Sequence, residues 1–147
     1  MANTWILVAH RSGAKIFEST GAGAELRLAR QIDHPEGRLQ NHEIDTDRPG
    51  ESDSRVGLGR HPKVPEQRAT DHLAEEFAKK LAQIAERGRI DHAYGRLVLI
   101  AEPGFLGRLR GALPEATTQL VAATLDKNLM EESGAGIRRH LEDRILV

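Results

Sequence analysis

Residues 5–18 read WILVAHRSGAKIFE, and the order of the whole chain follows from how this stretch turns. Trp5 to Ala9 is an apolar run too short for a helix, and Lys15-Ile16-Phe17-Glu18 resumes an extended pattern. Only Arg11-Ser12-Gly13 stands between the two, so the chain opens with a hairpin that reverses where glycine relaxes the backbone. A flavodoxin-like order would need a helix at that point and fits less well.

Working outward, Glu25 to Asp33 reads as a third strand, with Leu26, Leu28 and Ile32 facing a core, which completes an antiparallel meander. From Glu66 to Arg87, Leu73, Phe77, Leu81 and Ile84 recur at helical spacing while Glu75, Glu76, Lys79, Lys80 and Glu86 occupy the other faces; Gly88 is placed to end the helix. Leu97 to Ala101 (LVLIA) is apolar without interruption, the mark of a central strand buried on both faces. Glu102-Pro103-Gly104 opens a short helix with Phe105, Leu106, Leu109 and Leu113 inward, and Pro114 closes it. Gln119 to Leu125 is a further strand, and Ser133 is set to cap a last helix carrying Ile137, Leu141 and Ile145. The order β-β-β-α-β-α-β-α specifies an α/β protein whose mixed sheet is covered by packed helices, because right-handed crossovers make the later strands parallel. That order is ribonuclease-H-like.

The chain has 147 residues, the length of one domain spanning 1–147. Its 21 basic and 22 acidic side chains leave a net charge of −1, so no global field draws it to nucleic acid or an anionic membrane, and any such partner must be held by a local patch. The absence of cysteine excludes disulfides, thiolate metal sites and cysteine nucleophiles. No signal-like or membrane-spanning apolar run is present, so the expected setting is the cytoplasm, with no membrane partner. At 3% aromatic residues, base-stacking platforms are scarce.

The patterned halves are separated by a loop from His34 to Pro65 that holds four of the six prolines and has no period of its own. Loops of this length in compact domains are uncommon and often functional. Within it, Gly57-Leu58-Gly59-Arg60-His61 is the most suggestive segment: Gly57 and Gly59 allow close backbone approach, and Arg55, Arg60 and Lys63, with His61 beside them, can meet phosphate. It is not a P-loop, since the lysine and hydroxyl after the second glycine are missing. A solvated tip of paired charges is the competing reading, because acids alternate with the bases.

Catalytic constellations are thin. A two-metal nuclease needs several carboxylates at strand ends, and the first strand offers His10 where an acid is required, leaving Glu102 and Asp126. His34, His42, His61 and His72, with Asp33, Glu43 or Asp45, have no close pair of the kind that marks zinc sites. Arg108, Arg110, Arg138, Arg139 and Arg144 read as solvated helix faces or added basic surface. No cofactor, metal or catalytic residue is assigned.

Several segments taken together resemble one family: WILVAHRSGAKIFE, DHPEGR from Asp33, DRPGES from Asp47, GRH at Gly59, EEFAKKLA, LVLIAEPGFLGRLR from Leu97 and LDKNL from Leu125. The chain is similar, over nearly its whole length, to the bacterial host attachment proteins, described as required for attachment to host cells. That family is in turn similar to the middle domain of archaeal and eukaryotic peptide-chain release factors, which implies a ribonuclease-H-like arrangement. The Gly-Gly-Gln tip of those factors has no counterpart here: the loop offers Gly57, Gly59, Arg60 and His61, while Gln40 and Gln67 lack a glycine pair. Peptidyl-tRNA hydrolysis is therefore not carried over.

The expectation is a non-catalytic binding protein that presents Arg55, Gly57, Gly59, Arg60, His61 and Lys63 to structured RNA or a ribosomal surface. The alternatives are an ester or phosphoester hydrolase using His61 or His10 as general base, with a metal on Glu102 and Asp126, and a protein-interaction module in attachment regulation. An exposed sheet edge leaves room for a homodimer.

Overall fold

The computed structural model describes residues 3–21, 23–35 and 65–145. Strands β1 (Thr4–His10), β2 (Gly13–Ser19) and β3 (Arg27–Asp33) form the expected meander. They are followed by α1 (Pro65–Ile90), β4 (Arg96–Ala101), α2 (Pro103–Ala112), a single helical turn α3 (Glu115–Thr118), β5 (Val121–Leu125) and α4 (Gly134–Leu141). The sheet order is β3-β2-β1-β4-β5. β1 pairs antiparallel with β2 from Thr4↔Ser19 to His10↔Gly13, and parallel with β4 from Thr4↔Arg96 to Ala9↔Ala101. β4 is parallel to β5. This is the ribonuclease-H-like arrangement read from the sequence.

Two apolar layers sandwich the sheet. Leu7, Ala9, Leu97, Leu99 and Ala101 face α1 and α2, while Ile6, Val8, Val98 and Ile100 face Ile137 and Leu141 of α4. β1 and β4 thus lack a solvent side, which is why their sequences run apolar instead of alternating. The stripe that α1 lays on the sheet is rich in alanine: Ala74, Ala78, Ala82 and Ala85 are buried with Phe77 and Leu81, whereas Leu73 and Ile84 are only half-buried. Small side chains bring the helix close to the strands. α4 starts where expected, with Ser133 Oγ accepting from the Gly136 N–H at 3.1 Å. Ile145 lies beyond the end of α4 and still packs on its layer. Among the described residues no helix is long and apolar enough to cross a membrane.

Three expectations for the strands are corrected. The third strand starts at Arg27, and Leu28 is 47% exposed instead of inward. A bulge between Ile16 and Phe17 pairs Ile16 with Arg30 but Phe17 with Leu28, so Leu28 changes face while Ile32 stays in the core. The fifth strand starts at Val121, because the residues after Pro114 first form the α3 turn.

Gly88 does not end α1, which runs on to Ile90. A Cβ there would stand 2.6 Å from Trp5 Cη2 and 2.9 Å from Tyr94 Cε2, so this glycine admits the two rings, which pack tilted against each other. The helix stops at His92, whose φ of 60° is left-handed; Ala93 N–H donates to Gly88 O and His92 N–H to Arg89 O, the paired bonds of a Schellman cap.

The same end of α1 is tied to α3 through one carboxylate. Glu86 accepts from both ends of the Arg89 guanidinium at 3.0 and 2.8 Å, and takes a short hydrogen bond from the buried Thr117 hydroxyl. The Arg89 hydrogen bonds, then that of Thr117, hold the Glu86 carboxyl down from 4.5 to about 2. Burial pushes the Tyr94 phenol up to about 12.

Three outcomes follow from this helix end. Gly88→Ala destabilises the fold, because overpacking of about 1–3 kcal/mol exceeds the ~1 kcal/mol of helix propensity gained. His92→Gly stabilises it by about 1 kcal/mol by removing the left-handed penalty. Urea midpoints of both variants check these signs. A lowered folded-state pKa adds stability above the unfolded value and loses it as pH falls from 4.5 towards 2. Across that window, stability of the native protein falls more steeply with acid than that of Glu86→Gln.

Candidate functional site

β1, β3, β4 and β5 all point the same way, so they end on one edge of the sheet, at His10, Asp33, Ala101 and Leu125. In open α/β sheets, ligands collect beyond the carboxyl ends of the strands. An open cleft of about 560 Å³ lies there, lined by His10, Arg11, Ser12, Glu102, Pro103 and Gly104.

Its geometry is set by the hairpin turn and by His34. Ser12 N–H donates to His10 Nδ1 at 3.0 Å, so the neutral His10 ring carries its hydrogen on Nε2. His34 follows β3; its N–H donates to the Ser12 carbonyl at 2.9 Å, and its Nδ1 donates to the Arg11 carbonyl at 2.9 Å. The His34 ring is stacked on Phe77 at 4.4 Å and 4°, which ties the turn to α1. Both turn carbonyls are thereby bonded to His34, while the turn's side chains line the cleft.

On the opposite wall, Glu102 Oε1 sits 3.8 Å from Arg11 Nε, and the two side chains are 31% and 35% exposed. At that distance the pair attracts without a direct hydrogen bond and adds little stability. Glu102 does not cap α2 with its side chain; its carbonyl instead accepts from Phe105 and Leu106 N–H. Behind the cleft, Arg108 donates to Glu75 at 3.0 Å and to Asp71 at 3.2 Å, locking α2 against the first turns of α1.

The structure brings only part of the expected chemistry together. His10 and Glu102 share the cleft, whereas Asp126 is exposed at the end of β5 and does not line it. His34 is engaged with the turn, and His72 is exposed on α1. Among the described residues, no three His, Asp or Glu side chains gather closely enough to hold a metal ion. Arg108 is held in ion pairs and adds no free basic surface, while Arg110 and Arg139 are exposed. Arg55, Gly57, Gly59, Arg60, His61 and Lys63 lie outside the described residues, as do His42, Glu43 and Asp45.

Arg11 and Ser12 as cleft-lining groups, and His34 as their brace, were not legible as site residues. The only signal was a polar turn following an apolar strand whose carboxyl end faces the open edge.

The fold has a counterpart among solved structures. The crystal structure of an archaeal translation termination factor, aRF1, superposes with a TM-score of 0.51 over 96% of this chain and 38% of that one, at 13% identity. The likeness is one of fold, and this chain spans little more than a third of that factor. No curated protein matches the chain. The family described as "Protein required for attachment to host cells" matches residues 5–141, from the first residues of β1 to the last of α4. With the match covering every described strand and helix, the chain belongs to the family of proteins required for attachment to host cells.

Proposed function

We propose that this member of the host attachment family is a non-catalytic binding protein for structured RNA or a ribosomal surface, contacting it with the segment that carries Arg55, Gly57, Gly59, Arg60, His61 and Lys63. The observation that carries the reading is where that segment is rooted. β3 leads into it at the carboxyl edge of the sheet, where His34 is fixed by two hydrogen bonds to the β1–β2 turn and by stacking on Phe77. A rigid root is what a recognition loop needs, because binding energy is lost when the loop must be ordered on contact. The three cations supply phosphate attraction and the two glycines remove side chains that would hold a surface away. A solved structure of like fold is that of an archaeal translation termination factor, and this supports a partner in translation.

The test is co-sedimentation with ribosomes from the source organism at several salt concentrations. Reversing Arg55, Arg60 and Lys63 to glutamate is expected to weaken binding roughly 10- to 100-fold and to flatten its salt dependence. Unchanged sedimentation of the triple variant overturns the assignment of the loop. Capture of a protein partner that survives nuclease treatment would favour the protein-interaction reading instead.

A further inference from the structure

The cleft at the carboxyl ends of β1 and β4 sets a wall of donors against a wall that accepts. Its donors come from one turn. The carbonyls of Arg11 and Ser12 are bonded to His34, and the Ser12 N–H is bonded to His10 Nδ1. What this turn still offers is the Arg11 guanidinium, the Ser12 hydroxyl and the His10 Nε2–H, each able to donate and one of them cationic. The Arg11 guanidinium stands beyond hydrogen-bond reach of Glu102.

The facing wall offers the reverse. The Glu102 carboxylate only accepts, and among the described residues it takes no hydrogen bond. A bare oxyanion would satisfy Arg11 but meet the repulsion of Glu102. A group with anionic oxygens and a hydroxyl donor a few ångströms apart satisfies both walls. A DNA backbone lacks that donor, whereas each nucleotide of RNA carries it on the ribose 2′-oxygen, several bonds from the phosphate. The cleft is open instead of enclosed, as a passing strand requires, and at Gly104 an added Cβ would meet nothing within 4 Å, so the ligand can approach the backbone.

We infer that this cleft holds one nucleotide of an RNA strand, with Arg11, Ser12 and His10 on its phosphate and Glu102 accepting from its ribose 2′-hydroxyl. The inference rests on the RNA reading above and adds a second contact on the same edge, beside His34. Discrimination of RNA from DNA then resides in Glu102, while Arg11 supplies affinity for either backbone.

The experiment measures binding of the full chain to an RNA hairpin, to the same hairpin with deoxynucleotides in its loop, and to one with 2′-O-methyl nucleotides there. The native protein is expected to prefer the ribo loop by about tenfold, the worth of one good hydrogen bond to a charged group. Glu102→Ala and Glu102→Gln are expected to bring the three hairpins to within about twofold of one another without weakening the deoxy hairpin. Arg11→Ala is expected to weaken all three by about tenfold and to lower the salt slope by about 1. Unfolding midpoints establish that each variant is folded. If the native preference survives both Glu102 variants, or Arg11→Ala changes nothing, the cleft is not the site and the loop reading still stands. If the native protein binds no hairpin and no ribosome, both fall.

Discussion

The dehydration of β1 and β4 on both faces is the constraint from which the rest of this structure follows. A strand with no solvent side must bond every backbone group to its neighbours, and the parallel ladder from Thr4↔Arg96 to Ala9↔Ala101 does so. It must also be covered twice, by α1 and α2 on one face and α4 on the other. Parallel pairing in turn requires a long crossover between β3 and β4, which α1 supplies. The common direction of β1, β3, β4 and β5 then places their carboxyl ends together, so the cleft and the His34 brace are consequences of how the core was dried.

The legible parts of the fold were those in which one residue type has one physical use. LVLIA could only be a doubly buried strand, and Arg11-Ser12-Gly13 was too short for anything but a reversal. Ser133 announced a helix start because a hydroxyl there has an amide to accept from. The misread parts were those where a residue has two uses. Gly88 looked like a helix stop because that is a common role of glycine, yet the reason for it here is the space taken by Trp5 and Tyr94, residues distant in sequence. The stop falls to His92, a residue type with no strong terminal signal. Leu28 fitted an alternating strand, and only the bulge opposite Ile16 and Phe17 turned it outward. Local pattern carries no information about register, so such shifts stay hidden until the partner strand is placed.

The same division applies to the site. His10 and Glu102 were visible as polar residues at the ends of apolar strands. The role of His34 was not, because it depends on carbonyls of the β1–β2 turn and a ring from a helix more than forty residues on. Where a two-metal nuclease needs an acid at the end of the first strand, this chain has an imidazole whose Nδ1 is already bonded to a backbone amide. That exchange turns a position suited to gripping cations into one that donates hydrogen bonds, and the chemistry open to the edge changes with it.

β3 has a meaning beyond topology. Its side chains are exposed except at Ile32, it carries Arg27 and Arg30, and its ladder is interrupted by the bulge. Among the described residues it is the outermost strand of the sheet on that side, and it would otherwise offer a ready template for the strands of other molecules. Charge and irregular spacing remove the flat, uncharged edge on which aggregates grow. Leaving Leu28 in water therefore trades a little core for colloidal safety in a small protein whose net charge of −1 gives it almost no long-range repulsion of its own.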